Sequence, residues 1–244
     1  KATPDMYKLT PEGKVVDNEI TVGHKAVAIP GTLAGLTLAL KQHGTMSLKE
    51  VMAPSIRIAE EGYPVSKTLN GMMKDNFDKI SKFPAAASVY LKDGLPYEVG
   101  DKLVLRDLAK SYRLIAEKGP DVFYKGEIAD AIEKEMKASP NGLITKADLA
   151  AYKPVVRKPV RGSYRGYEII SMSPPSSGGT HIIQILNILE GFNVTRLGYN
   201  TSASLHVMAE SMKRAFADRS KYMADTDFVK VPIDGLISKK YAEE

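Results

Sequence analysis

Tyr167-Glu-Ile-Ile-Ser-Met-Ser-Pro-Pro-Ser-Ser-Gly-Gly-Thr-His-Ile-Ile-Gln-Ile185 carries more structural information than any other stretch of this chain. An apolar strand runs through a Pro-Pro-Ser-Ser-Gly-Gly loop directly into an apolar helix. Consecutive backbone N–H groups around Gly178 and Gly179, followed by a helix N-terminus, favour a bound anion. The same letters are also typical of a tight structural turn, which the sequence favours over an anion site. The loop is therefore the first candidate for a functional site, with both interpretations open.

Composition places the chain among ordinary globular proteins. Of its 244 residues, 43% are hydrophobic and 26% are charged, which excludes a disordered or fibrous class. No run approaches the roughly 18 apolar residues of a transmembrane helix, and the start at Lys1 lacks the apolar core of a signal peptide. The absence of cysteine excludes disulfides, thiolate catalysis and cysteine-bound zinc.

The net charge of +5 is spread over mixed patches, with one basic segment at residues 153–165. A nucleic-acid interface would need a recognition motif, and the sequence shows none. The alternation of Pro and Val in this segment predicts a charged edge strand instead. We therefore predict no nucleic-acid partner.

Periodicity predicts a helix-dominated α+β fold with a few strands, in a single domain over residues 1–244. A capping box at Ser47 should open a helix that breaks or restarts at Pro54. Asp93-Gly94 predicts a short hairpin. A second hairpin is expected from segments 155–163 and 167–173. The helix from Thr180 to Glu190 should be buried through its isoleucines and leucines, because it has almost no polar face.

The residues alone give no complete catalytic set. The four histidines form no metal-binding pattern. A triad of Ser176 or Ser177 with His181 and Asp218 lacks the usual nucleophile elbow. We predict no metal, no cofactor and no catalytic residue in this chain.

An acidic cluster near the end of the chain needs a separate interpretation. Asp218, Asp225 and Asp227 lack the spacing and the glycine of a calcium loop. Helix capping or ion pairing is the better interpretation, with basic partners at Arg214, Arg219 and Lys221.

Four segments resemble the large chain of γ-glutamyltranspeptidase, and they follow one another in the same order. They are Pro30-Gly-Thr-Leu-Ala-Gly-Leu36, the stretch 48–64, Ser163 to Thr180, and Leu205-His-Val-Met-Ala-Glu-Ser-Met-Lys-Arg-Ala-Phe-Ala-Asp-Arg219. The resemblance runs from end to end. Glutaryl-cephalosporin acylases and poly-γ-glutamate-processing enzymes are relatives of the same architecture.

The resemblance implies an enzyme of the N-terminal-nucleophile hydrolase superfamily, a γ-glutamyltransferase or glutathione hydrolase with an αββα sandwich. In this family a zymogen cuts itself, and the Thr exposed at the start of the small chain attacks a γ-glutamyl amide such as glutathione. The glutamyl group then passes to water, an amino acid or a peptide. The implied partners are the small chain of the same precursor and the γ-glutamyl donor, and the implied compartment is periplasmic or extracellular.

Comparison with the family's motifs limits what this chain is expected to do. The nucleophilic Thr would follow Glu244, and an Arg in an Asp-Phe-Arg-Glu motif would precede Lys1. We therefore expect a large-chain fragment that is inactive alone. Weak candidates for residues near the site are Pro174, Pro175, Ser176, Ser177, Gly178 and Gly179. The alternative is a helical binding protein that uses residues 153–165 or 174–179.

Self-association is a further expectation, because the apolar helix at Thr180 to Glu190 would lack its packing partner in a fragment. Light scattering of the purified chain should detect species larger than a monomer. A clean monomer that binds no apolar dye would contradict this expectation.

Overall fold

The computed structural model describes residues 3, 5–16 and 19–244. The chain forms two compact units, Lys1–Pro154 and Val155–Glu244. The expectation of one domain over residues 1–244 stays a prediction.

The first unit is made of helices with two short antiparallel strand pairs. Strand β1 (Tyr63–Pro64) pairs with β4 (Lys102–Leu103), and β2 (Leu91–Lys92) pairs with β3 (Leu95–Pro96) across a turn at Asp93 and Gly94, as Asp-Gly predicts. The elements are α1 (Thr32–His43), α2 (Leu48–Glu61), β1 (Tyr63–Pro64), α3 (Lys67–Asp75), α4 (Phe77–Ser81), α5 (Pro84–Tyr90), β2 (Leu91–Lys92), β3 (Leu95–Pro96), β4 (Lys102–Leu103), α6 (Arg106–Lys118), α7 (Asp121–Tyr124), α8 (Glu127–Ala138) and α9 (Lys146–Ala151).

Helix α2 confirms one expectation and corrects another. Its capping box is present: Ser47 Oγ accepts from Glu50 N at 3.3 Å, and Glu50 Oε2 accepts from Ser47 N at 2.8 Å. The expected break at Pro54 is wrong, because the helix runs through this residue. Helix α2 packs against α6, and because tertiary packing supplies most helix stability, this contact offsets the backbone donor that the exposed Pro54 lacks.

Two clusters of buried side chains form the core of this unit. One joins α8 and α9 and the loop between them through Ala129, Met136, Ile144 and Leu149. The other joins α3 to the β1–β4 pair through Val65, Met73 and Leu103. Burial of these side chains supplies the main favourable term in folding.

The second unit places a hairpin against a bundle of helices. Strand β5 pairs with β6 in antiparallel register, from Val160 opposite Ser171 to Tyr164 opposite Tyr167. Arg165 and Gly166 form the turn with φ of 49° and 85°. The elements are β5 (Val160–Tyr164), β6 (Tyr167–Ser171), α10 (Gly178–Glu190), α11 (Val194–Leu197), α12 (Ser202–Tyr222), α13 (Ile233–Leu236) and α14 (Lys239–Glu243).

These elements confirm the predicted fold class, a helix-rich chain with few strands. The predicted second hairpin is also present, although its strands are shorter than the segments expected. In the described part of the chain, no helix has the length and apolar character needed to cross a membrane.

Glu190, at the end of α10, joins the hairpin to the last helix of the unit. Its carboxylate accepts hydrogen bonds from Arg165 N and Lys239 Nζ. Lys239 Nζ also donates to Ser163 O at 2.6 Å. The hydrogen bond from Lys239, followed by that from Arg165, lowers the pKa of Glu190 below its ordinary value of 4.5.

Replacing Glu190 with Gln should therefore reduce the free energy of unfolding at neutral pH. The stabilisation by Glu190 is fully present above pH 4.5, and it is lost as the pH falls through the lowered pKa of the folded state. Urea unfolding should give a lower free energy of unfolding for the variant than for the parent at neutral pH, and similar values for the two in acid. Glu61→Gln is the control, and a Glu190→Gln deficit of equal size at both pH values would contradict the ionic role.

Candidate functional site

The loop between β6 and α10 holds the predicted site residues in quite different environments. Pro174 is buried and its peptide bond to Pro175 is cis. Ser176 and Ser177 are half-buried. The two glycines differ most clearly, because Gly178 is exposed whereas Gly179 is buried. All of these residues belong to the second unit.

Gly179 lies at a close approach of helix α10 to the hairpin. A Cβ atom at this position would overlap Met172 O and would lie 2.6 Å from Val160 Cγ2. Gly162 in β5 makes the reciprocal approach, since a Cβ there would lie 2.5 Å from Ile183 Cγ2. A Cβ at Gly178, by contrast, would meet only Ser176 Oγ at 3.5 Å. Close packing of helix on strand thus accounts for Gly179 without a ligand.

Hydrogen bonds within the unit involve both serines of the loop. Gly178 N donates to Ser176 Oγ at 3.3 Å, and Arg219 Nε of α12 donates to Ser177 Oγ at 3.0 Å. Neither hydroxyl is paired with a histidine. The hypothetical triad is therefore not assembled, because His181 Nδ1 lies 3.2 Å from Gln184 Oε1 instead.

Helix α10 corrects the expectation drawn from its composition. Ile182 is 48% exposed, although we expected the isoleucines and leucines to be buried. Ile183 is buried as expected, at 1% exposure, and a polar row made of Thr180, His181, Gln184 and Asn187 is buried beside it. Thr180, Gln184 and Asn187 are separated by four and then three residues, which places them on one face of a helix. The sequence therefore contained evidence for this polar face, but the large number of apolar residues in the segment led us to predict an apolar one.

The buried polar row connects α10 to the helices that follow. Gln184 Nε2 donates to Asp218 Oδ2, and Tyr241 OH donates to Asp218 Oδ1 at 3.1 Å. Asn187 Nδ2 donates to Ile237 O at 2.8 Å. Burial, followed by the hydrogen bond to Asp218, raises the pKa of Tyr241, and both favour the protonated hydroxyl that donates to Asp218.

Three buried atoms of this row have no hydrogen-bond partner within the described residues: Thr180 Oγ1, His181 Nε2 and Asn187 Oδ1. The His181 ring stacks on Phe216 of α12 with 6.4 Å between ring centroids. This polar interior fixes the position of α10 against α12, and sequence reasoning did not identify it.

The acidic cluster does not pair as expected. Asp227 pairs with Arg157 at 2.7 Å rather than with the basic residues of α12. Asp218 accepts from Gln184 and Tyr241, as described above. In the part of the chain that the structure describes, no three acidic or histidine side chains are grouped so that they could hold a metal ion.

The arginines of the basic segment at residues 153–165 form ion pairs and hydrogen bonds with residues of the second unit. Arg157 pairs with Asp227, and Arg161 pairs with Glu168 at 2.5 Å. Arg165 Nη2 donates to Phe192 O at 2.8 Å, and its guanidinium lies 5.3 Å from the centre of the Tyr164 ring. The arrangement does not favour the alternative of a binding protein that uses this segment.

Comparison with known sequences and structures identifies the class of protein to which this fold belongs. The family model for gamma-glutamyltranspeptidase matches residues 1–244. The glutathione hydrolase proenzyme of Escherichia coli strain K12 is 46% identical over 244 residues, all of this chain and 42% of that protein. The acylase ACY 1 proenzyme of Pseudomonas sp. strain SE83 is 46% identical over 249 residues, all of this chain and 44% of that protein.

A solved structure agrees with the sequence matches. The gamma-glutamyltranspeptidase of Helicobacter pylori superposes with a TM-score of 0.94 at 47% identity, covering 100% of this chain and 69% of that chain. The chain belongs to the gamma-glutamyltranspeptidase family. It spans less than half the length of the two proenzymes. The roles of residues 174–179 near a substrate stay a prediction.

A matched pair of glycine variants tests the packing role of the loop. Gly179→Ala should lower the free energy of unfolding by about 1–3 kcal/mol, because the added methyl group overlaps the hairpin. Gly178→Ala should leave stability unchanged or raise it by up to about 1 kcal/mol, because the site is open and Ala favours a helix. Urea unfolding measures both values. Equal stability of the two variants would contradict the close-packing role of Gly179.

Proposed function

We propose that this chain forms part of an enzyme that cleaves γ-glutamyl amides such as glutathione and transfers the glutamyl group to water, an amino acid or a peptide. The observation that carries the proposal is the family match over residues 1–244, joined to a solved structure that superposes on the entire chain. Two relatives bear the word proenzyme in their names. That word supports a working enzyme that is generated by processing of a longer precursor.

The chemistry proposed for the complete enzyme is acyl transfer through a covalent intermediate. A Thr hydroxyl at the start of a second chain attacks the carbonyl carbon of the γ-amide, and its own α-amine takes up the proton. The amine of the donor leaves with a proton as the ester forms. Water or an acceptor amine then attacks the ester and releases Thr, while backbone N–H groups stabilise the oxyanion of each tetrahedral intermediate.

The role proposed for this chain is to support that site, because no residue in it is assigned to the reacting atoms. The rigid contact of α10 with the β5–β6 hairpin at Gly179 supports such a role. At this contact the glycine backbone of α10 packs directly against atoms of the hairpin and of Met172, which leaves little room for movement. The periplasmic or extracellular compartment stays a prediction.

Reading the gene beyond Glu244 separates the proposal from its alternative. A downstream segment similar to Thr-Thr-His-Tyr, with a later Gly-Gly pair, would support a precursor of this family. A stop codon immediately after Glu244 would contradict it and would favour an independent binding protein.

Activity gives the second test. The purified 244-residue chain should release nitroaniline from γ-glutamyl-p-nitroanilide no faster than a blank without protein, because the expected nucleophile is absent from it. The precursor that contains this chain and its downstream sequence should release nitroaniline after processing. Turnover by the 244-residue chain alone, or an inactive processed precursor, would contradict the proposal.

A further inference from the structure

The first unit contains an open cavity of about 580 Å³. It lies among α1, the start of α2, α7 and the end of α9, all of which belong to that unit. Its volume falls within the range of roughly 300–1,000 Å³ that is usual for small-molecule sites. We call it the lysine-rimmed cavity. Its principal lining residues are Leu38, Lys41, Lys125, Tyr124, Tyr152 and Lys153.

The floor of the lysine-rimmed cavity is held in place by the protein's own contacts. Tyr124 OH donates to Pro30 O at 2.7 Å and accepts from Ala34 N at 3.1 Å, which fixes the start of α1 against α7. Burial also raises the pKa of Tyr124 above its ordinary value. The Tyr152 ring lies nearly parallel to that of Tyr124, at an interplanar angle of 11° and a centroid distance of 6.0 Å.

Gly31 allows Tyr152 to take this position. A Cβ atom at Gly31 would overlap the Tyr152 hydroxyl. The two tyrosine rings and the side chains of α1 therefore form a preformed apolar wall. A preformed wall lowers the entropic cost of binding a flat apolar group.

The rim of the cavity carries positive charge. Three lysines and one aspartate line it, and Lys125 pairs with Asp121 at 3.1 Å. Lys41 and Lys153 are exposed, and neither makes an ion pair within the described residues. Two ammonium groups beside an apolar wall complement a ligand with one anionic end and one apolar end.

We propose that the lysine-rimmed cavity binds a small organic anion with a flat apolar body, of which an aryl carboxylate is the simplest example. The apolar body lies against Leu38 and the Tyr152 ring. The carboxylate lies at the rim, where the ammonium groups of Lys41 and Lys153 attract it. The site is formed by residues of the first unit alone.

Phenylacetate is the probe for a nuclear magnetic resonance titration of the 244-residue chain. Phenylacetate should shift the amide signals of Thr37, Lys125 and Ala150 with a saturable dependence on concentration. Phenylacetamide, which has the same ring and no charge, should bind more weakly, and acetate should produce no saturable shift. Equal affinity for phenylacetate and phenylacetamide, or shifts confined to other parts of the chain, would overturn the proposal.

Variants of the rim give the matched control. The double variant Lys41→Gln, Lys153→Gln should raise the Kd for phenylacetate about three- to tenfold, because exposed charges contribute modest energies, and should leave the Kd for phenylacetamide unchanged. Lys82→Gln, Lys134→Gln removes the same charge from exposed positions elsewhere in the unit and should change neither value. Similar effects of the two double variants would overturn the proposal. Neither Kd measurement depends on γ-glutamyl turnover.

Discussion

The contact between the N-terminus of α10 and the β5–β6 hairpin is the constraint from which the second unit is built. At Gly179 and at Gly162, helix and strand approach until a single methyl group would no longer fit. That approach places Ile183 over the hairpin and sets the direction in which α10 leaves the loop. Helices α12, α13 and α14, which follow in sequence, pack against α10.

The sequence predicts local structure best where the stabilising contacts join residues that are close together in the chain. A serine with a glutamate three residues later forms the expected capping box at Ser47, and Asp93-Gly94 forms the expected turn. Pro54 shows the limit of such rules, because α2 is stabilised by its packing against α6, which a local pattern does not contain. The same limit explains why Asp227 pairs with Arg157, 70 residues away, and not with nearby bases.

The candidate site shows a different limit. The loop at residues 174–179 could be located from its glycines and prolines, but the different roles of Gly178 and Gly179 depend on Met172 and Val160, which only the tertiary structure brings into contact. The lysine-rimmed cavity has no motif at all. Its parts come from α1 and from the segment around Tyr152, more than 100 residues further along the chain, so no sequence window contains both.

Helix α10 departs from the usual arrangement of a surface helix, since its buried face carries a polar row beside Ile183 while Ile182 is exposed. Hydration of polar surface lowers the heat capacity, whereas hydration of apolar surface raises it. Separating α10 from α12 would expose both kinds of surface, so their contributions to the heat capacity partly cancel. The hydrogen-bonded part of this contact therefore varies less with temperature than an all-apolar contact would, and it keeps more of its strength as the protein is cooled.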